Sequence, residues 1–198
     1  MDYSILQISG LRMDGSAVPA FDLNGLLDWS FSRSSSLIKN MISIVGCGNS
    51  NRRDDGVGVY VVQLLQSDES LSARPDLRLI DAGTSGLELM FQARGSDSLI
   101  IIDANKSGSP PGSIYELPAS ELENLNQPSC NLHDFRWDHA LYAGRRIFKD
   151  EFPFDLSVFL IEVADTSYGL ELSEPVKLAA ERVVELISLK LQQKSQID

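Results

Sequence analysis

The sequence predicts an α/β fold: a three-layer αβα domain built around a mostly parallel, twisted sheet of about five strands. The first observation is that short apolar segments alternate with longer segments whose apolar residues recur at helical spacing. Alternation of this kind is typical of βαβ units, in which a helix connects two parallel strands. The second observation is the nearly unbroken apolar run at residues 98–104, which suits a strand covered by helices on both faces.

The first half of the domain contains two predicted strands and two predicted helices. Residues 41–46, "MISIVG", form the first strand, and residues 77–82, "LRLIDA", form the second. Ser85 and Glu88 have the spacing of a capping box, so a helix is expected to begin there. Between the two strands, a helix is indicated by apolar residues at helical spacing, namely Val57, Val61, Leu64 and Leu65.

The second half contains three predicted strands, at residues 98–104, 113–117 and 154–164. The fourth strand follows a Pro-Pro-Gly sequence, which is typical of a turn. A helix is predicted over residues 132–146, between the fourth and fifth strands. The last helix is expected to begin near Ser173, and its buried face is formed by Val176, Ala180, Val183, Ile187 and Leu191.

Residues 1–40 show no sustained period, so we interpret them as an N-terminal extension of unknown role before a single α/β domain at residues 41–198. The net charge of −11 argues against a nucleic-acid partner, because a polyanion would be repelled. No apolar run is long enough to predict a membrane span. The start, "MDYSILQISGLRMDG", lacks the basic residues of a secretory signal, and two cysteines are too few for a disulfide framework. A cytoplasmic protein is therefore expected.

Acidic residues follow each of the first three predicted strands. Asp54 and Asp55 come after the first strand, Asp81 ends the second, and Asp103 ends the third. Parallel strands place these ends at one edge of the sheet, where two carboxylates about 5 Å apart repel by about 3 kcal/mol. Such a cluster shares a proton, meets a basic side chain or holds a cation. Any single acid could be a helix or turn cap, but the repetition favours a site.

The two histidines of the chain, His133 and His139, fall on the predicted helix at residues 132–146. A lone helical histidine is usually a hydrogen-bonded packing residue. However, one neutral imidazole together with two carboxylates would suit a divalent ion such as nickel or zinc. The spacing along the chain leaves both interpretations open.

Dinucleotide binding is the rival interpretation of the first strand, loop and helix. It requires G-x-G-x-x-G, but Gly46 and Gly48 are followed by Asn51 where the third glycine belongs. Asp81 would suit a ribose contact, whereas the acids of the first loop would face the pyrophosphate. No nucleotide is therefore expected. A nucleophilic Cys47 is also disfavoured, because neighbouring carboxylates raise the pKa of a thiol.

Three segments together resemble one protein family. "GCGNSNRRDDGVG" resembles the G-x-G-N-x-x-x-x-D-[DE]-x-x-G signature of the hydrogenase maturation endopeptidases. "DAGTSGLEL" and "IIIDANKSGSPPGSIYEL" are similar to two further segments of that family, and a histidine follows. The resemblance extends from residue 41 to the end of the last helix. It implies a protease that trims the C-terminus of the nickel-iron hydrogenase large-subunit precursor.

The resemblance also implies which residues act. The family's metal-binding and catalytic triad falls on Asp55, Asp103 and His133, which would recognise the nickel that the precursor already carries. The resemblance further implies contacts between the substrate tail and the neighbouring loop, at Gly83, Thr84 and Gly86. Two other interpretations are kept: a dinucleotide-binding α/β protein, and a binding module that escorts the precursor without cutting it.

Overall fold

The computed structural model describes residues 40–122 and 136–194 of the 198-residue chain. Most of the predicted N-terminal extension lies outside the described residues, as do Cys130 and His133. The described strands are β1 (Ile42–Cys47), β2 (Leu77–Gly83), β3 (Ser98–Asn105), β4 (Ile114–Pro118) and β5 (Asp155–Glu162). The described α-helices are α1 (Val57–Ser67), α2 (Glu69–Ser72), α3 (Gly86–Ala93), α4 (Ala119–Leu122), α5 (Trp137–Phe148) and α6 (Glu174–Lys194). Short 3₁₀ turns lie before α1, at Arg53–Gly56, and after α5, at Lys149–Glu151.

The five strands form one sheet in the order β2-β1-β3-β5-β4. The pairs β1–β2, β1–β3 and β3–β5 are parallel, and β4 runs antiparallel to β5. The prediction of a mostly parallel, five-stranded sheet is confirmed. The antiparallel edge follows from the length of the connection, since residues 106–113 are too few for the crossover that a parallel return requires.

Helices cover both faces of the sheet, as the unbroken apolar run of β3 predicted. Neighbouring residues of β1 point to opposite faces: Ile44 packs in a core with Leu65 of α1 and Ile187 of α6, whereas Val45 packs on the other side with Leu89 of α3. All five side chains are fully buried. Each contributes about 1.5–3 kcal/mol through removal of apolar surface from water. The two cores account for the three layers.

Two glycines set how closely α1 approaches the sheet. A Cβ atom on Gly58 would lie 2.3 Å from the carbonyl oxygens of both Cys47 and Ile102, so the start of α1 touches the backbones of β1 and β3. Gly48 has φ of +126°, and a Cβ there would lie 1.8 Å from the carbonyl oxygen of Asp55. The loop between β1 and α1 is therefore folded tightly over the end of β1. The glycines serve this close contact between backbones.

The predicted capping box at the start of α3 forms only in part. The Ser85 hydroxyl accepts a hydrogen bond from the Glu88 backbone N–H at 3.1 Å. The Glu88 carboxylate accepts instead from the Gln92 side chain, at 2.7 Å, and the Ser85 N–H donates to the Ala82 carbonyl. The prediction that a helix begins here is confirmed, with one of the two reciprocal bonds replaced.

The last turn of α6 is bonded to the amino ends of β3 and β5. The Lys194 ammonium donates to the Ser98 hydroxyl at 2.6 Å and forms an ion pair with Asp155. The Ser98 hydroxyl in turn donates to Asp155 at 2.7 Å. The first residues of β3 and β5 are thereby joined to the last turn of the helix.

Within the described ranges, no helix has both the length and the hydropathy that crossing a membrane requires.

Candidate functional site

A cleft of about 470 Å³, which we call the strand-end cleft, lies at the carboxyl ends of β1, β2 and β3. Parallel sheets place their ligand sites at this edge, where neighbouring connections leave on opposite faces. The predicted site residues that the structure describes all line this cleft: Asp55, Gly83, Thr84, Gly86 and Asp103. Residues far apart in the sequence are therefore brought to one place, although their roles stay a prediction.

Asp103 lies near the end of β3 and is mostly buried. Its Oδ1 accepts a hydrogen bond from the Ala104 N–H at 2.8 Å, and its Oδ2 lies 3.4 Å from Nη2 of Arg136. Burial raises the pKa of the Asp103 carboxyl, and the charge of Asp55 raises it further. Arg136 and the Ala104 N–H lower the pKa without cancelling the effect of burial.

Asp55 lies in the 3₁₀ turn before α1 and is partly buried. Its Oδ2 accepts a hydrogen bond from the Asn49 N–H at 3.2 Å, which orients the carboxylate over the tight loop set by Gly48. Its charge acts on the Asp103 carboxyl across the cleft. The two carboxylates thus face a shared space and are close enough to repel each other.

Asp54, the neighbouring acid, is not among the residues that line the strand-end cleft. It is fully buried, and its carboxylate accepts hydrogen bonds from the backbone N–H groups of Ala164, Asp165 and Ser173 at 3.0, 3.0 and 2.6 Å. The Ser173 hydroxyl donates a fourth, at 2.9 Å. The expectation that all four strand-end acids share one rim is wrong for Asp54, because its carboxylate joins the first loop to the residue that precedes α6.

Two further candidates of the sequence also lie apart from the lining of the cleft. Asp81 is exposed, and its Oδ1 accepts a hydrogen bond from the Gly83 N–H at 2.9 Å, as in a turn. His139 lies within α5 and is partly buried, and it is not among the residues that line the cleft. The expectation of four converging acids therefore holds for Asp55 and Asp103 alone.

His133 lies outside the described residues, so its place relative to the cleft is not given by the structure. Within residues 40–122 and 136–194, no group of three histidine, cysteine or acidic side chains is arranged to hold a metal ion. The described part of the chain supplies two carboxylates to the cleft. The third ligand of the predicted triad stays a prediction.

Arg136 is a cleft residue that the sequence did not reveal. It occupies the N-cap position of α5, where a residue such as Ser or Asp is usual, and its side chain makes no capping bond. Instead the guanidinium reaches Asp103. In the sequence Arg136 falls within the helix predicted at residues 132–146, three residues after His133, and nothing in that pattern points to a partner on β3.

Glu162, at the end of β5, holds one wall of the cleft in place. Its buried carboxylate accepts bonds from the Asn105 side chain, from the N–H and hydroxyl groups of Ser107, and from the N–H groups of Gly108 and Ser109, at 2.7–3.2 Å. Burial alone would raise the pKa of Glu162, but these bonds outweigh it and keep the pKa below its usual value. The loop after β3 is thereby wrapped around one negative charge.

Cys47 lines the cleft but is unsuited to nucleophilic chemistry. Its thiol is buried, and burial raises its pKa far above the usual value. The charges of Asp103 and Asp81 raise the pKa further, while Arg136 lowers it only in part. The thiol therefore stays protonated at neutral pH, as the acidic surroundings predicted.

A family model described as hydrogenase maturation protease matches residues 59–190, a range that contains Asp103 and Arg136 and begins after Asp55. The chain is 27% identical over 153 residues to the hydrogenase expression/formation protein HupD of Thiocapsa roseopersicina, covering 76% of this chain and 66% of HupD. It is 33% identical over 119 residues to the hydrogenase 2 maturation protease of Escherichia coli, covering 59% of this chain and 70% of that protein. The chain thus spans just under two thirds of the length of HupD.

Among solved structures, the hydrogenase maturating endopeptidase HybD of Escherichia coli superposes with a TM-score of 0.65 and 26% identity. The superposition covers 77% of this chain and 93% of HybD. The fold that carries the strand-end cleft is therefore shared with HybD. Because the family model matches well over half of the residues, the chain belongs to the hydrogenase maturation protease family.

Proposed function

We propose that the chain is an endopeptidase that removes the C-terminal tail of a nickel-containing hydrogenase large-subunit precursor. We further propose that Asp55, Asp103 and His133 recognise the nickel that the precursor carries. The observation that supports this most is that Asp55 and Asp103, from separate strand ends, line one cleft of about 470 Å³. Membership of the family supports the reaction class.

The donor set of the cleft fits a cation. Two carboxylates face the same space, and a guanidinium already lies 3.4 Å from one of them. Repulsion between the carboxylates favours any positive charge placed between them. Carboxylates with one imidazole form a mixed oxygen and nitrogen set that suits a divalent ion such as nickel. In this proposal the nickel belongs to the substrate, and the chain supplies the side chains that read it.

The loop after β2 is the proposed binding site for the substrate tail. Gly83 has φ of +51°, and a Cβ at this position would have no neighbour within 4 Å, so the backbone here borders open space. Thr84 and Gly86 line the cleft beside it. A peptide can approach an exposed backbone of this kind closely and exchange hydrogen bonds with it. The tail would then lie beside the two carboxylates.

Hydrolysis of the tail requires an activated water beside the scissile carbonyl. A divalent ion lowers the pKa of a bound water and polarises a carbonyl oxygen. The Asp103 carboxylate, with its raised pKa, is a better proton acceptor than an exposed aspartate and is suited to take a proton from that water. We propose that either the nickel of the precursor or the Asp103 carboxylate activates the water. Asp55 and Asp103 would hold the metal centre of the precursor in position.

The dinucleotide interpretation finds no support in the geometry of the first loop. The loop lacks the third glycine, and the carboxylate of Asp55 faces the space where a pyrophosphate would bind. Saturable binding of NAD in a fluorescence titration, at micromolar concentration, would revive it.

The cytoplasmic location expected from the sequence stays a prediction.

The proposed activity is tested by incubating the protein with a nickel-loaded large-subunit precursor and measuring the intact mass of the precursor. Shortening by the mass of a C-terminal tail is expected. Binding of the precursor without shortening would favour the escort interpretation over a protease. The matched control is the same precursor without nickel, because we propose that the cleft recognises the nickel.

A further inference from the structure

The guanidinium of Arg136 lies 3.4 Å from one carboxylate oxygen of Asp103, and both residues line the strand-end cleft. Asp103 is one of the two carboxylates that line the cleft, and its other oxygen is already bonded to the Ala104 N–H. The side chain of Asp103 is 12% exposed, whereas that of Arg136 is 64% exposed. A largely exposed cation therefore partners a nearly buried anion.

The geometry of this pair is that of a partner that can leave. A single nitrogen of Arg136 approaches Asp103, at 3.4 Å, although a guanidinium can bond a carboxylate with two nitrogens at shorter distances. The backbone of Arg136 is fixed at the N-cap of α5, but its side chain makes no capping bond. Displacing the guanidinium into water therefore breaks one long bond and leaves α5 in place.

We propose that Arg136 is a placeholder cation: it neutralises Asp103 in the free protein, disfavours free divalent ions in the cleft, and is displaced when the precursor presents its nickel. The proposal rests on the function proposed above. A bare ion must compete with the guanidinium and be repelled by it, with no other binding energy to draw on. A metal centre held in the precursor also gains from contacts of the peptide tail with the cleft.

The proposal predicts a gain of metal affinity when Arg136 is removed. Calorimetry with cadmium ions as the probe, at fixed pH and low ionic strength, measures the affinity directly. Arg136→Gln is expected to bind cadmium about three- to tenfold more tightly than the wild type, from the lost competition and repulsion together. Arg136→Lys keeps the charge and is expected to lie between the two.

The matched control is Arg146→Gln, which removes the same charge from the same helix. Arg146 is exposed, and its guanidinium bonds the Tyr142 hydroxyl at 3.0 Å, away from the lining of the cleft. It is expected to bind cadmium as the wild type does. The advantage of Arg136→Gln over this control should shrink as salt is raised, because an exposed guanidinium is screened.

A structural role for Arg136 would give the opposite sign, since a disturbed cleft binds metal more weakly. Equal or weaker binding by Arg136→Gln than by Arg146→Gln would overturn the proposal, as would the absence of measurable binding in both. Asp103→Asn separates this inference from the proposed function. If Asp103→Asn loses cadmium and the wild type shortens the precursor, while Arg136→Gln gains no affinity, the placeholder role alone fails.

Discussion

The Asp54→Ala variant is expected to be strongly destabilised, although Asp54 does not line the strand-end cleft. The carboxylate is fully buried and accepts four hydrogen bonds, three of them from backbone N–H groups. Removing it leaves those donors without a partner and releases the segment before α6. Loss of a buried, multiply bonded charge costs about 3–5 kcal/mol of unfolding free energy.

Urea unfolding followed by circular dichroism measures this cost. With a slope of about 2 kcal/mol/M, the midpoint of Asp54→Ala should fall by about 1.5–2.5 M. Asp54→Asn keeps one oxygen but turns an amide donor toward a backbone N–H, so it should lose about 1–3 kcal/mol.

Asp55→Asn is the matched control. Its carboxylate is only partly buried, and Asn49 N–H is its one hydrogen-bond donor shown in the structure, so the loss should be within about 1 kcal/mol. The anchoring role of Asp54 would be refuted if the unfolding free energy of Asp54→Ala lay within about 1 kcal/mol of the wild-type value. It would also be refuted if Asp55→Asn lost more unfolding free energy than Asp54→Ala.

Three further predictions concern the elements around the cleft. Gly58→Ala should cost about 3 kcal/mol or more in the same urea assay, because its Cβ would meet two backbone carbonyls at 2.3 Å; Gln63→Ala, on the exposed side of α1, should be nearly neutral, and equal costs would refute the close approach. Glu162→Gln should be less stable than the wild type above pH 4.5, and the difference should shrink as the pH falls, because a carboxyl whose pKa is lowered on folding stabilises the protein only while ionised; a difference that grows below pH 4.5 would contradict this. Lys194→Met should cost about 1 kcal/mol or less, since the ion pair to Asp155 is largely exposed; a loss above about 2 kcal/mol, seen as a midpoint shift, would mean that the tie at the end of α6 matters more than its exposure suggests.

The order of strands and helices could be predicted because each element carries its own periodic signal. The apolar run of β3 indicates cover on both faces, and the helical stripe after β1 indicates α1. The direction of β4 carries no such local signal, since a five-residue strand reads alike in either direction. It follows from the short connection and from the free edge of β5, which are properties of the folded sheet.

Part of the candidate site could be predicted from the ends of the strands, and the rest from the resemblance of its loops to a known family. Asp103 lies near the end of β3, so the parallel sheet alone directs it to the cleft. Asp54 and Asp55 are adjacent aspartates, yet Asp54 anchors the segment before α6 whereas Asp55 lines the cleft. The difference lies in backbone N–H groups near Ser173, and backbone donors have no sequence signature. Arg136 was missed for a similar reason, because its partner is set by the packing of α5 on the sheet.

We propose above that Asp55, Asp103 and His133 recognise the nickel of the precursor and allow its tail to be removed. The most direct measurement is the intact mass of a nickel-loaded precursor after incubation with the wild type and with Asp55→Asn, Asp103→Asn, His133→Ala and Asp81→Asn. We expect a shortened precursor with the wild type and with Asp81→Asn, because Asp81 is not among the residues that line the cleft, and an intact precursor with the other three variants. An intact precursor with folded wild-type protein, or full shortening by Asp55→Asn and Asp103→Asn, would contradict it.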